Sequence, residues 1–558
     1  MQFKQTLIRL VFLLSPFLAF SQTTYLPQGA KENILLDRLE IKMGTDSIFN
    51  FSKTKPYSRR QFISHLSRLD SLGKTTEVDA YNYHTAMLSN LEWASGERTE
   101  YESKKPIGKS FYQTPANLYE KYLPNFFIAI NPVIQYSIAK ESGNDQHLFL
   151  NTRGISFRGR ILDKIGFSAY ITDNQERSPL YVQEFINERK AVPGAGFYKS
   201  FKKPGGVDYF DARGYFTFGV GKVIDVAFGY DKNFIGNGHR SLFLSDFSNN
   251  TLFLKLNTRI WKFNYQNLFM ELQNGESGGA DILLPKKYAA MHHLDLAVTK
   301  WLNVGIFEGV VFGRKDHFEF GYLNPVIFYR SIEQQTGSLD NSVLGMDAKA
   351  NIAKRLQVYG QALLDEFNLV EMRKGEGWWG NKWGLQFGGK YIDVFNIPNL
   401  DIQLEANHVR PFTYSHRDSV ANYTHYNQPL AHPLGANFRE WIAITRYQPA
   451  PKWLVQLKAI YMKQGRDTGL RSFGGNIFLP NVPPYRKGDY GYEIGGGIPV
   501  KTSLASLLVS YEFKPNLYFD LYGQIRRQRA PLQLFQRDNS TLISAGIRWN
   551  MHRREFDF

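Results

Sequence analysis

The sequence predicts an all-β transmembrane barrel of about 16 to 18 antiparallel strands with a small N-terminal helical segment. Three observations support this fold class. From Pro124 onward, apolar and polar residues alternate with a period of two. The strand candidates are connected alternately by tight turns and by long loops. After Gln22, no uninterrupted apolar run approaches the ~18 to 20 residues that a membrane-spanning helix needs.

The first residues have the pattern of a secretory signal peptide. Lys4 and Arg9 precede an apolar run, and Ala19-Phe20-Ser21 then places small residues at the positions that a signal peptidase recognises. We expect cleavage before Gln22, which removes residues 1–21. The alternative is a short buried N-terminal helix, but the charge, the apolar run and the small residues agree with export.

Residues 22–123 are predicted to form a periplasmic helical or plug segment. Ser58 and Gln61 have the spacing of a capping box, helically spaced apolar residues follow, and Gly73 is placed to end the helix. A second helix is predicted from Val78 to Ala94. A separate soluble domain is the alternative for this segment.

Residues 124–558 are predicted to form an outer-membrane β-barrel. Each strand candidate has one apolar and one polar face, as between Leu400 and Glu405. Tight turns such as 162–164 and 221–222 contrast with the long loops 375–383, 415–438 and 466–497.

A soluble β-sandwich or propeller would also alternate. However, the chain has no blade-length repeat, and its aromatic residues lie near strand ends, where the interfacial girdles of a membrane barrel require them. Phe558 fits the aromatic residue that often ends such a barrel, although Met551 to Glu555 interrupts the alternation before it.

The composition excludes several classes of site. The 558 residues contain no cysteine, which excludes disulfides, a thiol nucleophile, a thiolate zinc site, an iron–sulfur cluster and a lipidated cysteine. No cofactor is expected. The formal net charge is +16, or +14 without residues 1–21, which carry Lys4, Arg9 and no acid. Such a charge suits an acidic polysaccharide or lipopolysaccharide phosphates. It also suits nucleic acid, but export and the absence of a nucleic-acid motif argue against that partner.

Two loop sequences carry a resemblance to a known family. The stretches Gly229–Asp246 and Tyr423–Phe438, with the strand pair around His293 and Glu308, resemble the Wzi-type capsule assembly barrels. They are most similar to the Bacteroidota branch, which includes RemB-like gliding motility proteins. The resemblance implies an outer-membrane barrel whose outward loops bind or organise surface polysaccharide without cleaving it. In the gliding branch it implies surface adhesion, with partners in the gliding or secretion machinery besides outer-membrane lipid.

Aromatic residues in one Gly-rich loop are candidates for sugar binding. Trp378, Trp379 and Trp383 could stack on sugar faces while nearby amides and carboxylates bind hydroxyl groups. The alternative is that these rings stiffen the loop or belong to the interfacial belt.

Five further ligand candidates lie in the two stretches that carry the resemblance: Asn237, His239, Arg240, His432 and Asn437. His239 is interpreted as a loop hydrogen-bond donor rather than a base. No metal is expected, because His292 and His293 would point to opposite faces of a strand, which leaves only His293 and Asp295 on one face.

The sequence lacks a catalytic signature, so we predict a protein that is not an enzyme. There is no Gly-x-Ser-x-Gly elbow, and carboxylates such as Asp365 and Glu366 are common in barrel linings. An outer-membrane hydrolase acting on lipid or glycan, with Ser and His on neighbouring strands, remains an alternative. A diffusion channel is the other.

Overall fold

The computed structural model describes residues 23–44, 49–69, 76–94, 99–162, 164–275, 284–314, 317–326, 328–337, 339–469, 471–531 and 539–558. The predicted signal peptide and Gly73, the expected end of the first helix, lie outside these residues. Within the described ranges, no helix is both long enough and apolar enough to cross a membrane.

Eighteen antiparallel strands close into a barrel, which confirms the predicted fold class. In chain order they are β1 (Phe126–Glu141), β2 (Leu148–Ile161), β3 (Ile165–Arg177), β4 (Gly206–Val220), β5 (Ile224–Asp231), β6 (Thr251–Ile260), β7 (Phe263–Gln273), β8 (Lys286–Ala297), β9 (Leu302–Phe312), β10 (Asn341–Ile352), β11 (Leu356–Glu366), β12 (Lys382–Tyr391), β13 (Leu400–Val409), β14 (Phe438–Tyr447), β15 (Trp453–Arg466), β16 (Ile498–Lys514), β17 (Leu517–Arg529) and β18 (Ser540–Trp549). Each strand pairs with the next one in sequence, and β18 closes on β1 with Trp549 opposite Ile134.

The outward side chains of the strands are mainly apolar, and those that point into the lumen are mainly polar, although an apolar cluster that includes Phe307 packs against the loop after β5 inside the barrel. On β13, Leu404 is 58% exposed, whereas the adjacent Gln403 and Glu405 are buried. Phe387 on β12 and Ile543 on β18 are 69% and 68% exposed. A water-soluble protein rarely exposes so continuous an apolar surface, because contact between water and apolar area is unfavourable. The outer wall is therefore suited to hydrocarbon.

The two ends of the barrel differ in the length of their connections. One end, called here the short-turn end, carries the connections 162–164, 221–223, 261–262, 298–301, 353–355, 392–399, 448–452 and 515–516. The opposite, long-loop end carries loops that include 178–205, 232–250, 313–340, 410–437 and 467–497. This asymmetry agrees with the predicted alternation of tight turns and long loops.

In its described residues, the N-terminal segment contains three α-helices: α1 (Lys31–Met43), α2 (Arg59–Leu69) and α3 (Glu77–Leu88). The expected capping interaction is present, since the backbone amide of Gln61 donates to Ser58 Oγ at 3.2 Å. Helix α3 ends earlier than predicted, and a 3₁₀ turn follows at Leu91–Trp93. Helix α1 was not predicted, because its sequence has no clear apolar stripe: charged residues such as Glu40 are buried together with the apolar ones.

The N-terminal segment lies inside the lumen at the short-turn end. Ion pairs connect it to strands on several sides of the barrel. These pairs are Lys31 with Glu512 on β16 at 2.7 Å, Asp37 with Lys390 on β12 at 2.7 Å, Lys53 with Asp295 on β8 at 3.0 Å, and Glu92 with Arg158 on β2 at 2.8 Å. The segment therefore crosses the lumen rather than packing beside the barrel.

Residues 550–558 turn back into the lumen after β18. The Asp557 carboxylate accepts a hydrogen bond from Arg240 Nη1 at 2.8 Å, and the ring of Phe558 lies 4.9 Å from that of Phe185. Phe558 therefore lies within the barrel at the long-loop end, and the expectation that it ends the last membrane strand is wrong. The physical reason is that the preceding charged residues pair with lumen groups, whereas facing hydrocarbon would be costly.

The loop 313–340 folds back over the outer wall of the barrel. Its helix α5 (Tyr329–Gln335) places the ring of Tyr329 4.3 Å from His292 on β8. His292 Nε2 lies 2.8 Å from a Glu308 carboxylate oxygen on β9, and the backbone amide of Tyr329 donates to the same oxygen at 2.8 Å. The loop thus covers an outward-facing pair of ionisable side chains that would otherwise face lipid.

Candidate functional site

Three of the candidate residues belong to one buried polar network in the lumen. His239 and Arg240, from the loop after β5, each contact Asp557 at 2.8 Å. His432, from the loop after β13, lies 2.6 Å from Glu440 on β14, and Arg240 lies 3.2 Å from the same carboxylate group. Because these groups satisfy one another, the network holds two long loops and residues 550–558 together inside the barrel.

The electrostatics of this network favour fixed charges. Burial alone would raise the pKa of Asp557, but Arg240 and Lys458 outweigh burial and hold that pKa well below its usual range. Burial lowers the pKa of His432, despite the carboxylate of Glu440 beside it. Asp557 is therefore an anion across the neutral pH range, as a structural ion pair requires.

The two candidate asparagines are engaged within the protein. Asn437 Nδ2 donates to a carbonyl oxygen at the end of β15 at 3.1 Å and to two carbonyl oxygens of the loop after β15 at 3.0 and 3.0 Å, and its Oδ1 accepts from the amide of Gly495 at 2.7 Å. This side chain joins the loops after β13 and β15. Asn237 Nδ2 donates to Ser52 Oγ of the N-terminal segment at 3.4 Å. Both amide groups thus position segments of the chain.

The three candidate tryptophans do not form one cluster. Trp383 lies on β12 and faces outward, opposite Leu364 on β11, so its assignment to the Gly-rich loop is wrong and its position matches the alternative of an interfacial belt. Trp378 and Trp379 lie in the loop after β11, with ring centroids 6.0 Å apart. The guanidinium of Arg486 lies 4.2 Å from the Trp379 ring centroid and covers one face of that ring. Sugar stacking by these rings stays a prediction.

A cavity of about 460 Å³ lies at the long-loop end, and we call it the loop-end cavity. Helix α4 (Leu180–Arg189), the loops after β13 and β15, and the inward sides of β15, β16 and β17 line it, together with Phe558. Its volume falls in the range of about 300 to 1,000 Å³ that is typical of small-ligand sites.

The loop-end cavity combines aromatic faces with hydrogen-bonding groups. Tyr181 and Phe478 line it, and the guanidinium of Arg189 lies 4.3 Å from the Phe478 ring centroid. Arg466 on β15 and Gln528 on β17 line it from the barrel wall. Arg466 Nε is buried without a hydrogen-bond partner among the described residues. Aromatic rings can stack on sugar rings, and arginine and amide groups can bind hydroxyl and acidic substituents.

None of the lining residues of this cavity is among the candidates predicted from the sequence. The sequence feature that pointed toward this cavity was the polar face of the last strands. That face includes Arg526, which lines the cavity from β17. Neither α4 nor the loop that carries Phe478 could be placed over the opening from sequence, because loop conformation depends on contacts between loops.

His292 and His293 point to opposite faces of β8, as the alternation predicts. His293 Nε2 lies 2.6 Å from a carboxylate oxygen of Asp347, and Asp295 pairs with Lys53 at 3.0 Å. Across the described ranges, no group of three His, Asp or Glu side chains is arranged to hold a metal ion. The lumen-facing acids are instead bound by cationic and imidazole groups of the protein.

The family model of the capsule assembly protein Wzi matches residues 115–541. The chain belongs to the Wzi capsule assembly family. This Wzi-family protein, with its closed barrel and apolar outer wall, is an outer-membrane protein. Comparison with curated proteins finds no significant match.

Solved structures include a Wzi-family member with the same fold. Wzi of Escherichia coli, described as an outer membrane protein involved in group 1 capsule assembly and as a carbohydrate-binding β-barrel, is 12% identical, with a TM-score of 0.56 over 96% of this chain and 100% of that chain. OprD of Pseudomonas aeruginosa is 10% identical, with a TM-score of 0.42 over 76% of this chain and 94% of that chain. OccK8 from the same organism is 11% identical, with a TM-score of 0.42 over 76% and 97%.

Proposed function

We propose that this Wzi-family barrel is a non-enzymatic protein that binds surface polysaccharide in the loop-end cavity and so attaches or organises a capsule. The observation that carries the proposal is the combination of aromatic and cationic side chains in that cavity. Long loops face the exterior in outer-membrane barrels, so the cavity would meet polysaccharide at the cell surface. The E. coli protein of the same fold is described as carbohydrate-binding, which agrees with this proposal.

The loop-end cavity presents charged groups of both signs to a polysaccharide. Arg189, Arg466 and Arg526 line it together with Glu184 and Glu188, and Arg189 pairs with Glu188 at 3.0 Å. Asp467 also lines it, but its carboxylate accepts hydrogen bonds from the backbone amides of Phe473 and Asn476 at 2.6 and 3.0 Å, which fix the loop after β15. A polysaccharide would therefore meet arginine donors for its hydroxyl or acidic groups and carboxylate acceptors for its hydroxyl groups.

Substitution of Arg466 tests the site. We expect Arg466→Gln to weaken binding of purified full-length protein to capsular polysaccharide from the producing strain by about tenfold, the effect of losing one charge-assisted hydrogen bond. Arg373→Gln, at an exposed position of α6 (Leu369–Lys374) outside the cavity, is the matched control. Equal affinity of the two variants would refute the site, and absence of wild-type binding would refute the function.

A second experiment addresses the candidate tryptophans. Because Trp383 faces outward from β12, only Trp378 and Trp379 are replaced by alanine. If these rings stack on polysaccharide, the affinity falls while the thermal stability of the barrel is retained. If they only stiffen the loop after β11, the affinity stays at the wild-type value.

The rival functions make different predictions. A hydrolase would release product from surface polysaccharide or lipid, whereas this proposal expects none. A diffusion channel would conduct in planar bilayers, whereas a lumen crossed by the N-terminal segment should pass little current until residues 22–120 are deleted.

Adhesion in gliding rests on the sequence resemblance, and a deletion strain scored for both capsule retention and surface spreading separates it from capsule assembly.

A further inference from the structure

The lumen contains a second cavity of about 660 Å³, which we call the lumen cavity. It lies between α1, residues 550–558 and the barrel wall. Its lining extends from Trp453, at the short-turn end, to Phe247, in the loop after β5. The N-terminal segment and residues 550–558 therefore leave a large space inside the barrel.

Basic side chains dominate the lining of the lumen cavity, where lysine and arginine outnumber aspartate and glutamate. Several of these cations have carboxylate partners. Arg158 pairs with Glu92 at 2.8 Å, and Arg548 pairs with Asp520 at 2.8 Å. Such pairs are compensated inside the protein and do not need a ligand.

Among the described residues, three other lining cations have no carboxylate within salt-bridge distance, and their hydrogen-bond and ring contacts are with neutral groups. Within the described residues, no carboxylate lies in salt-bridge distance of Lys55, whose Nζ is 5.1 Å from the Phe234 ring centroid. Lys232 Nζ donates to a backbone carbonyl at 2.8 Å. Arg59 Nε donates to another backbone carbonyl at 2.9 Å, and an asparagine accepts from its Nη1. These contacts satisfy hydrogen bonds without supplying negative charge.

Burial is the main cause of the pKa shifts of these cations. For Lys55, burial outweighs the more distant carboxylates of Asp37, Asp246 and Glu40 and lowers the pKa. For Lys232, burial and Arg213 outweigh Asp246 and Asp211 and lower the pKa to about 8. Burial, with Arg548 and Arg213 nearby, lowers the pKa of His552 to about 3. A cation whose pKa falls in this way would be stabilised by an anion.

We propose that the lumen cavity binds a small solute that carries an oxyanion, a phosphate or carboxylate group, at Lys55, Lys232 and Arg59. An oxyanion provides both the missing charge and acceptors for the remaining donors of these side chains. The volume admits a solute the size of a sugar phosphate or a sugar acid, but the position is distinct from the loop-end cavity. The proposal therefore stands independently of polysaccharide binding.

Calorimetric titration of the folded full-length protein in non-ionic detergent tests this site. The probes are inorganic phosphate, glucuronate and, as the uncharged control, glucose. We expect saturable binding of phosphate or glucuronate and none of glucose. Lys55→Gln should weaken binding by about tenfold, as expected for loss of one charge-assisted contact. Lys121→Gln, the same substitution at an exposed position outside the lumen cavity, should bind as the wild type does.

The variants also separate the two cavities. Arg466→Gln should leave phosphate or glucuronate binding unchanged if the oxyanion binds in the lumen cavity. Lys232→Gln provides a second test if Lys55→Gln does not fold. Absence of saturable binding by the wild type, or wild-type affinity of a folded lumen variant, would overturn the proposal.

Discussion

Replacement of Lys53 by methionine is expected to release the N-terminal segment from the lumen. Lys53 Nζ lies 3.0 Å from Asp295 on β8 and also pairs with Asp347 on β10. The side chains of these three residues are 1%, 1% and 5% exposed, respectively. Lys53→Met leaves two buried carboxylates without their lysine. Breaking a buried ion pair by removing one partner costs about 3 to 5 kcal/mol, so the segment should lose that much of its docking free energy.

Protease protection measures this effect directly. The folded barrel is treated with trypsin in detergent, and cleavage within residues 23–94 is followed by mass spectrometry, while urea unfolding gives the free energy of the whole protein. Arg153→Met is the matched control, because Arg153 and Asp173 are 62% and 37% exposed and such a pair contributes about 0 to 1 kcal/mol. Equal protection of the two variants would refute the reasoning.

A double variant distinguishes charge from packing. After Lys53→Met, Asp347 keeps His293 beside it at 2.6 Å, so adding Asp295→Asn removes the carboxylate that has lost its counter-charge. Part of the lost protection should return, because the penalty arises from buried carboxylates without a counter-charge. If the double variant is less protected than Lys53→Met, loss of packing rather than charge explains the effect.

Two further predictions concern groups inside the barrel. Gly345→Ala on β10 places a Cβ 2.4 Å from the ring of Phe243, which stacks on Phe307 with 4.5 Å between ring centroids. We therefore expect the free energy of unfolding, measured in urea, to fall by about 1 to 3 kcal/mol, and an unchanged value would show that the loop after β5 does not pack there. Because its partners depress the pKa of Asp557, the stabilisation from this carboxylate is complete above its usual pKa of about 3.9 and is lost as the pH falls through the depressed value. In a His239→Gln background, which removes the ionisable imidazole 2.8 Å from this carboxylate, the stability lost on Asp557→Asn should therefore be the same at pH 5 and pH 8. A loss that shrinks between those values would contradict the assignment.

The fold could be predicted because the strand periodicity is local. Residues 400–405 alternate in the sequence as they alternate between lipid and lumen in the structure. The lengths of the connections also indicated which end carries the loops. The path of residues 550–558 could not be predicted, because it depends on ion pairs such as Asp557 with Arg240, which are far apart in sequence.

The candidate site was harder to predict from the sequence than the fold. His239, Arg240 and His432 were predicted to bind ligand, and that role stays a prediction, whereas the structure engages all three in a buried network. The loop-end cavity is formed by α4 and by side chains such as Phe478 from segments that meet only in three dimensions. A sequence motif near one strand does not indicate which distant segments will meet to form such a cavity.

The loop 313–340 gives the outer wall of the barrel a different surface on the side of β8 and β9 than on the other sides. Acyl chains beside β8 and β9 meet irregular backbone and exposed side chains such as Phe320 and Val326, which are 80% and 86% exposed, rather than a regular strand surface. A neighbouring molecule in the same leaflet therefore contacts a differently shaped surface on this side of the barrel than on the others. The side of the barrel that carries this loop therefore differs from the other sides, and the rotation of the protein about the membrane normal decides which side a neighbouring molecule contacts.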